Sequence, residues 1–298
     1  MRPADWQAHL ASPGRMWVVD SPGRRERVNG TADLIADFVA RAVGSSTTAT
    51  RYRAPLVAIA AASDPRFADL RRHVDPSHML PDDLLPGARS VVSFFVPFAP
   101  DVVESNARNR PDVSLEWALA YVETNDLIKR ITRGLARVLG DRGVRAAYAP
   151  PTGCFDRETL VSSWSHKSVA AIAGLGSFGV HRMVITDAGC GGRLGSIVVD
   201  AELLPTVAGA RERCAFLRDG DCLECVRRCP VGALDAHGGI DRRLCWEQCL
   251  AVAARFRDIG AAQACGKCAT GPCAVLPGTQ GALAQVTPVR AQRLGERP

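Results

Sequence analysis

Cys222-Leu223-Glu224-Cys225-Val226-Arg227-Arg228-Cys229-Pro230 lies inside a stretch, Cys214 to Cys273, that holds nine of the eleven cysteines of the chain. Cys214 precedes it through a loop. Cys245 and Cys249 follow, then Cys265-Gly266-Lys267-Cys268 and finally Cys273. The surrounding 298 residues are 47% hydrophobic and 23% charged, the composition of an ordinary soluble globular protein of about two domains. No window approaches the roughly 18 uninterrupted apolar residues of a membrane span, so no membrane partner is expected. The start, Met1-Arg2-Pro3-Ala4-Asp5-Trp6, lacks the apolar segment of a secretory signal. A cytoplasmic location is the expectation, with thiols kept reduced. The formal net charge of +6 is compatible with a polyanionic partner.

The spacing C-x2-C-x3-C-P is the closing part of the run with which bacterial ferredoxins hold [4Fe–4S] clusters. In two-cluster ferredoxins the cysteine before the proline ligates the other cluster. A tight loop can deliver two or three thiolates to one cubane, and Pro230 then turns the chain away from it. Two four-iron clusters take eight thiolates, and nine are available here. Zinc sites also use C-x2-C pairs, but a second crowded set behind C-x2-C-x3-C-P is unusual for them. Disulfides belong to secreted proteins. The expectation is therefore two [4Fe–4S] clusters.

Upstream, helical and strand patterns alternate. A helix is expected over Thr31–Val43, then a buried strand from Pro55, a helix from Asp64 to His73 and a strand over Ser90–Val96. A long helix follows over Leu115–Leu139, closed by Gly140, then a strand within Val144–Ala149 and a helix over Arg157–Ala173. Strands are expected at Met183–Thr186 and Leu194–Asp200, joined by Asp187-Ala-Gly-Cys-Gly-Gly-Arg193. This alternation indicates an α/β fold, α+β overall once a ferredoxin-like module is appended. The division is a peripheral segment 1–50, an α/β domain 51–208, a double-cluster module 209–276 and a mobile tail 277–298.

Gly174-Leu-Gly176-Ser-Phe-Gly179 fits G-x-G-x-x-G, yet that fingerprint should follow a strand and open a helix. Here a helical stretch precedes and a strand follows. Gly174, Gly176 and Gly179 read instead as a turn that permits close backbone approach, to a neighbouring strand or to a flat cofactor. Cys190, in its glycine-rich turn, reads as accessible. His166 can face a cofactor or substrate, or serve as a cap or core residue. His73, His78 and His181 have no spacing that indicates a metal site.

Ala173 to Gly179, Met183-Val-Ile-Thr186, Leu194-Gly-Ser-Ile-Val-Val-Asp200 and Pro86-Gly-Ala-Arg-Ser-Val-Val92 together resemble signatures of the epoxyqueuosine reductase and reductive dehalogenase superfamily. With the cysteine region, the resemblance covers roughly residues 55–275. It implies electrons passing from a reduced ferredoxin- or flavodoxin-type donor through two [4Fe–4S] clusters, by way of cobalamin, to a substrate such as epoxyqueuosine in tRNA. A cobalamin-free reductase of a small molecule and a plain electron carrier are the other readings. The implied ligand sets are Cys214, Cys222, Cys225 and Cys273 for one cluster, and Cys229, Cys245, Cys265 and Cys268 for the other. Cys249, one helical turn from Cys245, is the alternative ligand. The family's Tyr-x-x-Gly-Arg-Asp-Tyr-His segment corresponds to Tyr121-Val-Glu-Thr-Asn-Asp126-Leu-Ile, which makes Asp126 the candidate general acid. The chain departs from the family in having Asp219 where a cluster cysteine is usual, and in closing with C-x2-C-x4-C without a proline.

Overall fold

Every residue of Ser90–Pro97 (β3) is buried, because helices cover both faces of this strand. The computed structural model describes residues 17–19, 30–152, 155–207 and 212–277; Cys154 and the segment 278–298 lie outside the described residues. On one side β3 pairs with Leu56–Ala61 (β2), Leu56 opposite Phe95. On the other it pairs with Gly192–Val199 (β7), Phe94 opposite Gly195. Ala146–Tyr148 (β4) and Trp17–Val19 (β1) complete a five-stranded sheet of order β1-β4-β7-β3-β2. Each of its pairings is antiparallel. The expected mixture of helix and sheet is thus built on antiparallel neighbours.

Side chains alternate across a strand, so β3 serves two cores. Val92, Phe94 and Val96 face Thr31–Gly44 (α1) and Leu115–Gly140 (α5), meeting Ile35, Val39, Leu127, Ile131 and Leu135. Val91 and Phe95 face the other way, toward Phe67 of Pro65–His73 (α2), Leu84 of Pro81–Leu84 (α3) and Val169 of His166–Ile172 (α6). The segment read as peripheral therefore contributes α1 to the larger core. Pro100–Arg108 (α4) leads from β3 into α5, whose N-cap Ser114 accepts a hydrogen bond from the Trp117 amide at 3.2 Å.

The expected helix over 157–173 forms only from His166. The Asp156 carboxylate takes the amides of Glu158 and Thr159, at 2.9 and 2.7 Å, and Leu160 adopts φ 57°. Such local side-chain bonds offer the backbone an alternative to helix. The strand expected at 183–186 does not join the main sheet. Val184–Thr186 (β6) forms a hairpin with Gly176–Phe178 (β5). Short helices Ala215–Asp219 (α7) and Glu224–Arg227 (α8), with Arg242–Arg255 (α9), build the remaining module; Cys225 lies on α8 and Cys245 and Cys249 on α9, and the other cysteines sit in the loops between and beyond them. Among the described residues no helix is long and apolar enough to cross a membrane.

Candidate metal centre and cavity

The nine thiols of the module converge in two neighbourhoods. Burial pushes the Cys225 thiol up to about 11, and the charges of Cys273, Cys214 and Cys222 add to the rise. Those four are the first set. Burial likewise holds the Cys268 thiol above its ordinary value, with Cys265, Cys245, Cys229 and then Cys225 contributing. Cys268 with Cys265, Cys245 and Cys229 makes the second set, and Cys225, whose charge is felt at Cys268 as well, links the two. Packed thiolates repel one another, and a bound metal cation would neutralise them. The donor set is all sulfur, which suits iron–sulfur clusters.

Cys245 and Cys249 share a proton one turn apart on α9. The Cys249 S–H bond to Cys245 draws the Cys245 thiol down to about 7 and holds Cys249 protonated. Lys167, on α6, lies near Cys268 and Cys245, and burial lowers its pKa. The Cys229 sulfur accepts the Ala233 amide at 3.2 Å.

Two clamps fix the module against the sheet domain. Lys267, 2% exposed, donates to the carbonyls of Asn106 and Asn109 at 2.6 and 2.7 Å, beyond the middle of α4. Asn106 donates to the Cys265 carbonyl at 3.1 Å and accepts the Ser114 amide at 3.3 Å. On the other side Arg53 reaches the carbonyls of Phe98, Leu276 and Ala188 at 3.0, 2.9 and 2.5 Å. There the turn 188–191 docks on 273–276, with the Cys190 amide on the Cys273 carbonyl at 3.0 Å and the Gly191 amide on Ala274 at 2.8 Å. Cys190 is consequently 2% exposed, not accessible as its glycine-rich surroundings suggest.

Between the two parts lies a cavity of about 240 Å3. The thiols of Cys229, Cys245, Cys249, Cys265 and Cys268 line one side, and Phe98, Trp117, Tyr121 and Arg193 the other. The Arg193 guanidinium lies 4.2 Å over the Tyr121 ring, and its Nε has no hydrogen-bond partner among the described residues. Burial lowers its pKa. The cavity is smaller than the roughly 300–1,000 Å3 taken by a drug-sized ligand, and a corrinoid is larger still. A corrinoid seated here would have to extend beyond this lining, through the open side of the cavity.

Asp126 stands outside the cavity lining. Its side chain is 55% exposed and pairs with Lys129 at 2.9 Å on the solvent face of α5. A general acid is best placed in a water-excluded site, and this carboxylate lies in solvent. His166 is equally committed: Nδ1 meets Ser196 Oγ at 2.9 Å, and Nε2 meets the Pro150 carbonyl at 3.2 Å. Since a carbonyl only accepts, Nε2 carries the proton and Nδ1 accepts from the serine. Burial lowers this imidazole to about 4. The three glycines serve the hairpin. A Cβ on Gly176 would lie 2.2 Å from the Ile185 carbonyl oxygen, and one on Gly179 would be 3.0 Å from the His181 ring; Gly174 takes φ 86°. Their close approach is to a strand and to His181. Sequence spacing passed over His181, which the fold alone brings to Cys273 with Nε2 at 3.4 Å from its sulfur.

No family model matches the chain. Over 168 residues it is 27% identical to the epoxyqueuosine reductase of Vibrio cholerae serotype O1, covering 55% of this chain and 42% of that one. Over 80 residues it is 36% identical to the epoxyqueuosine reductase of Yersinia pestis, covering 26% of this chain and 18% of the other. The chain is similar to epoxyqueuosine reductase. It matches less than half the length of either of these curated relatives. The fold agrees: a crystal structure of selenomethionine-labelled epoxyqueuosine reductase superposes with a TM-score of 0.55 at 17% identity, over 83% of this chain and 66% of that one. An epoxyqueuosine reductase solved with an epoxyqueuosine-modified stem loop of tRNA-Tyr gives 0.50 at 17% identity, over 74% and 56%.

Proposed function

We propose that this chain is an iron–sulfur reductase of the epoxyqueuosine reductase kind, whose module 209–276 is ferredoxin-like and carries two [4Fe–4S] clusters. Cys214, Cys222, Cys225 and Cys273 hold one, and Cys229, Cys245, Cys265 and Cys268 the other. The observation that carries the reading is the gathering of nine thiols into two partly buried neighbourhoods, the second of which opens on a cavity walled by the sheet domain. Cys245 is the ligand of that pair that the likeness implies, with Cys249, one helical turn away and lining the same cavity, as the alternative. Bound clusters supply single electrons, received from a ferredoxin- or flavodoxin-type donor.

Reduction of an epoxide to an alkene takes two electrons and two protons and releases the oxygen as water. Epoxyqueuosine in tRNA is the substrate that the likeness suggests, and the net charge of +6 suits that polyanion. Tyr121, in the cavity wall, is placed to give a proton to the leaving oxygen, while Arg193 beside it stabilises the negative charge that develops. Phe98 and Trp117 exclude water.

The size of the cavity favours a second reading, in which the chain works without a corrinoid and reduces a small molecule. Anaerobic purification with iron, sulfide and cobalt analysis, a spectral titration with cobalamin and an assay on epoxyqueuosine-containing tRNA separate the two. About eight irons per chain are expected for two four-iron clusters. Deoxygenation of the tRNA supports the first reading, and eight irons with neither a corrinoid response nor tRNA turnover supports the second. Far fewer irons, or zinc in their place, would overturn both.

A further inference from the structure

Cys273 closes the module's cysteine series, but the groups nearest its sulfur come from the sheet domain. His181 Nε2 stands 3.4 Å from it and Cys190 Sγ 3.8 Å; the same Nε2 is 3.6 Å from Cys190 Sγ. All three donor atoms lie within 4.8 Å of one another, His181 and Cys190 buried and Cys273 half-buried, an arrangement that a single tetrahedral metal ion could also use. The second ring nitrogen decides between a metal and a hydrogen bond. His181 Nδ1 accepts the Met183 amide N–H at 3.0 Å, so in the neutral imidazole the proton sits on Nε2. A protonated ring nitrogen cannot ligate a metal, but it donates to a thiolate. A metal-ligating histidine has the reverse arrangement, its distal N–H donating to an acceptor.

Cys190 resolves in the same direction. A Cys273 sulfur bonded to iron carries no proton, so the short Cys190–Cys273 contact needs the proton of Cys190. Two cysteines on different corners of a cubane also stand farther apart than 3.8 Å, so Cys190 is not a further ligand beside Cys273. Its place is imposed by the backbone. The turn lies so close to Ala274 that a Cβ on Gly189, which has φ +96°, would come within 2.3 Å of the Ala274 carbonyl oxygen. Gly179 leaves room for the His181 ring in the same way.

We infer that His181 and Cys190 are tuning residues that donate N–H···S and S–H···S hydrogen bonds to the Cys273 thiolate and thereby raise the reduction potential of the cluster it completes. The inference rests on the reading that Cys273 is a cluster ligand. Adding an electron makes the cluster and its thiolates more negative, and donors aimed at a thiolate favour that state. The second thiol set has a different sheet-domain neighbour, Lys167 near Cys268 and Cys245, so each potential is set in part by residues outside the cysteine module.

The test is an anaerobic redox titration of the full chain, followed by electron paramagnetic resonance, with iron counted in each sample. Cys190→Ala and His181→Phe are each expected to keep the wild-type iron content and to shift one of two midpoint potentials downward, the other staying in place. Cys190→Ser retains an O–H donor and should fall between Cys190→Ala and wild type. Should His181→Phe fail to fold, the two Cys190 variants still decide. Unchanged midpoints in Cys190→Ala would overturn the inference, and so would loss of about four irons, which would make Cys190 a ligand. Cys273→Ala distinguishes the underlying reading: it should lose about four irons if Cys273 is a ligand. Full iron in Cys273→Ala refutes that ligand assignment itself, whereas iron loss there with unmoved midpoints in Cys190→Ala refutes only the hydrogen bonds.

Discussion

Tyr121 and Asp126 share α5 but not an environment: the phenol lines the cavity beside Arg193, while the carboxylate pairs with Lys129 in solvent. Tyr121→Phe should therefore lower turnover of whichever substrate is reduced by about 10²–10⁴-fold, the usual contribution of a positioned proton donor, with iron content unchanged. Asp126→Asn should leave turnover at the wild-type level. The reverse pattern would return the acid to Asp126. His166 carries a different signature. Its imidazole is lowered from the ordinary value to about 4, chiefly by burial. Above pH 6.5 both the folded and unfolded chains hold it neutral, so it adds nothing to the pH dependence there. Between pH 6.5 and 4 the unfolded chain gains the proton first, and stability falls as pH falls. The loss is on the order of 2–3 kcal/mol across that window. Anaerobic thermal unfolding between pH 7 and 5 should show a shallower slope for His166→Gln than for wild type. Equal slopes would refute the assignment.

The elements differ in how far their residues announce them. Helices α1 and α5 and strands β2, β3 and β7 were legible because periodic apolar residues meet a sheet covered on both faces. The 157–165 stretch was not, since its apparent helix is cancelled by the Asp156 turn. Among the cysteines the spacing was enough to point to a thiol-rich candidate metal centre, but not that Cys190 belongs beside it. Its partners, Cys273 and His181, are brought near only by the docking of turn 188–191. Gly266 is a similar case. It reads as a spacer between Cys265 and Cys268, yet a Cβ there would lie 2.1 Å from the Trp117 ring, and its φ is +66°. Gly266→Ala would both strain the left-handed backbone and overfill this contact, at a cost of roughly 1–3 kcal/mol. It should also disturb the second thiol set, so the expected outcome is a lower melting temperature with iron lost from one cluster. A variant with wild-type melting and full iron would show that Trp117 can move aside freely.

At the scale of the whole molecule, stability is divided unequally. The sheet domain has two extensive apolar cores, whereas the module's smaller clusters are built in part from cysteine sulfurs. Helix α9 shows the contrast: of its fourteen residues only Val252 is buried. Such a segment buries too little apolar surface to offset its own ordering entropy, and on the proposed reading bound iron supplies the difference. Removing iron should therefore unfold the module locally while the sheet persists, as a separate cooperative unit. Hydrogen exchange followed by mass spectrometry on the chelator-treated chain should show lost protection across α8 and α9, with β2, β3 and β7 still protected. The clamps through Lys267, Asn106 and Arg53 bear on how sharp that boundary is, because each ties the module's backbone to the sheet domain. If α9 amides stay as protected without iron as with it, the module is held by those clamps and its own packing, and metal is not what folds it. If protection is lost in β3 as well, the two parts unfold together and the clamps couple them more strongly than their separate cores suggest.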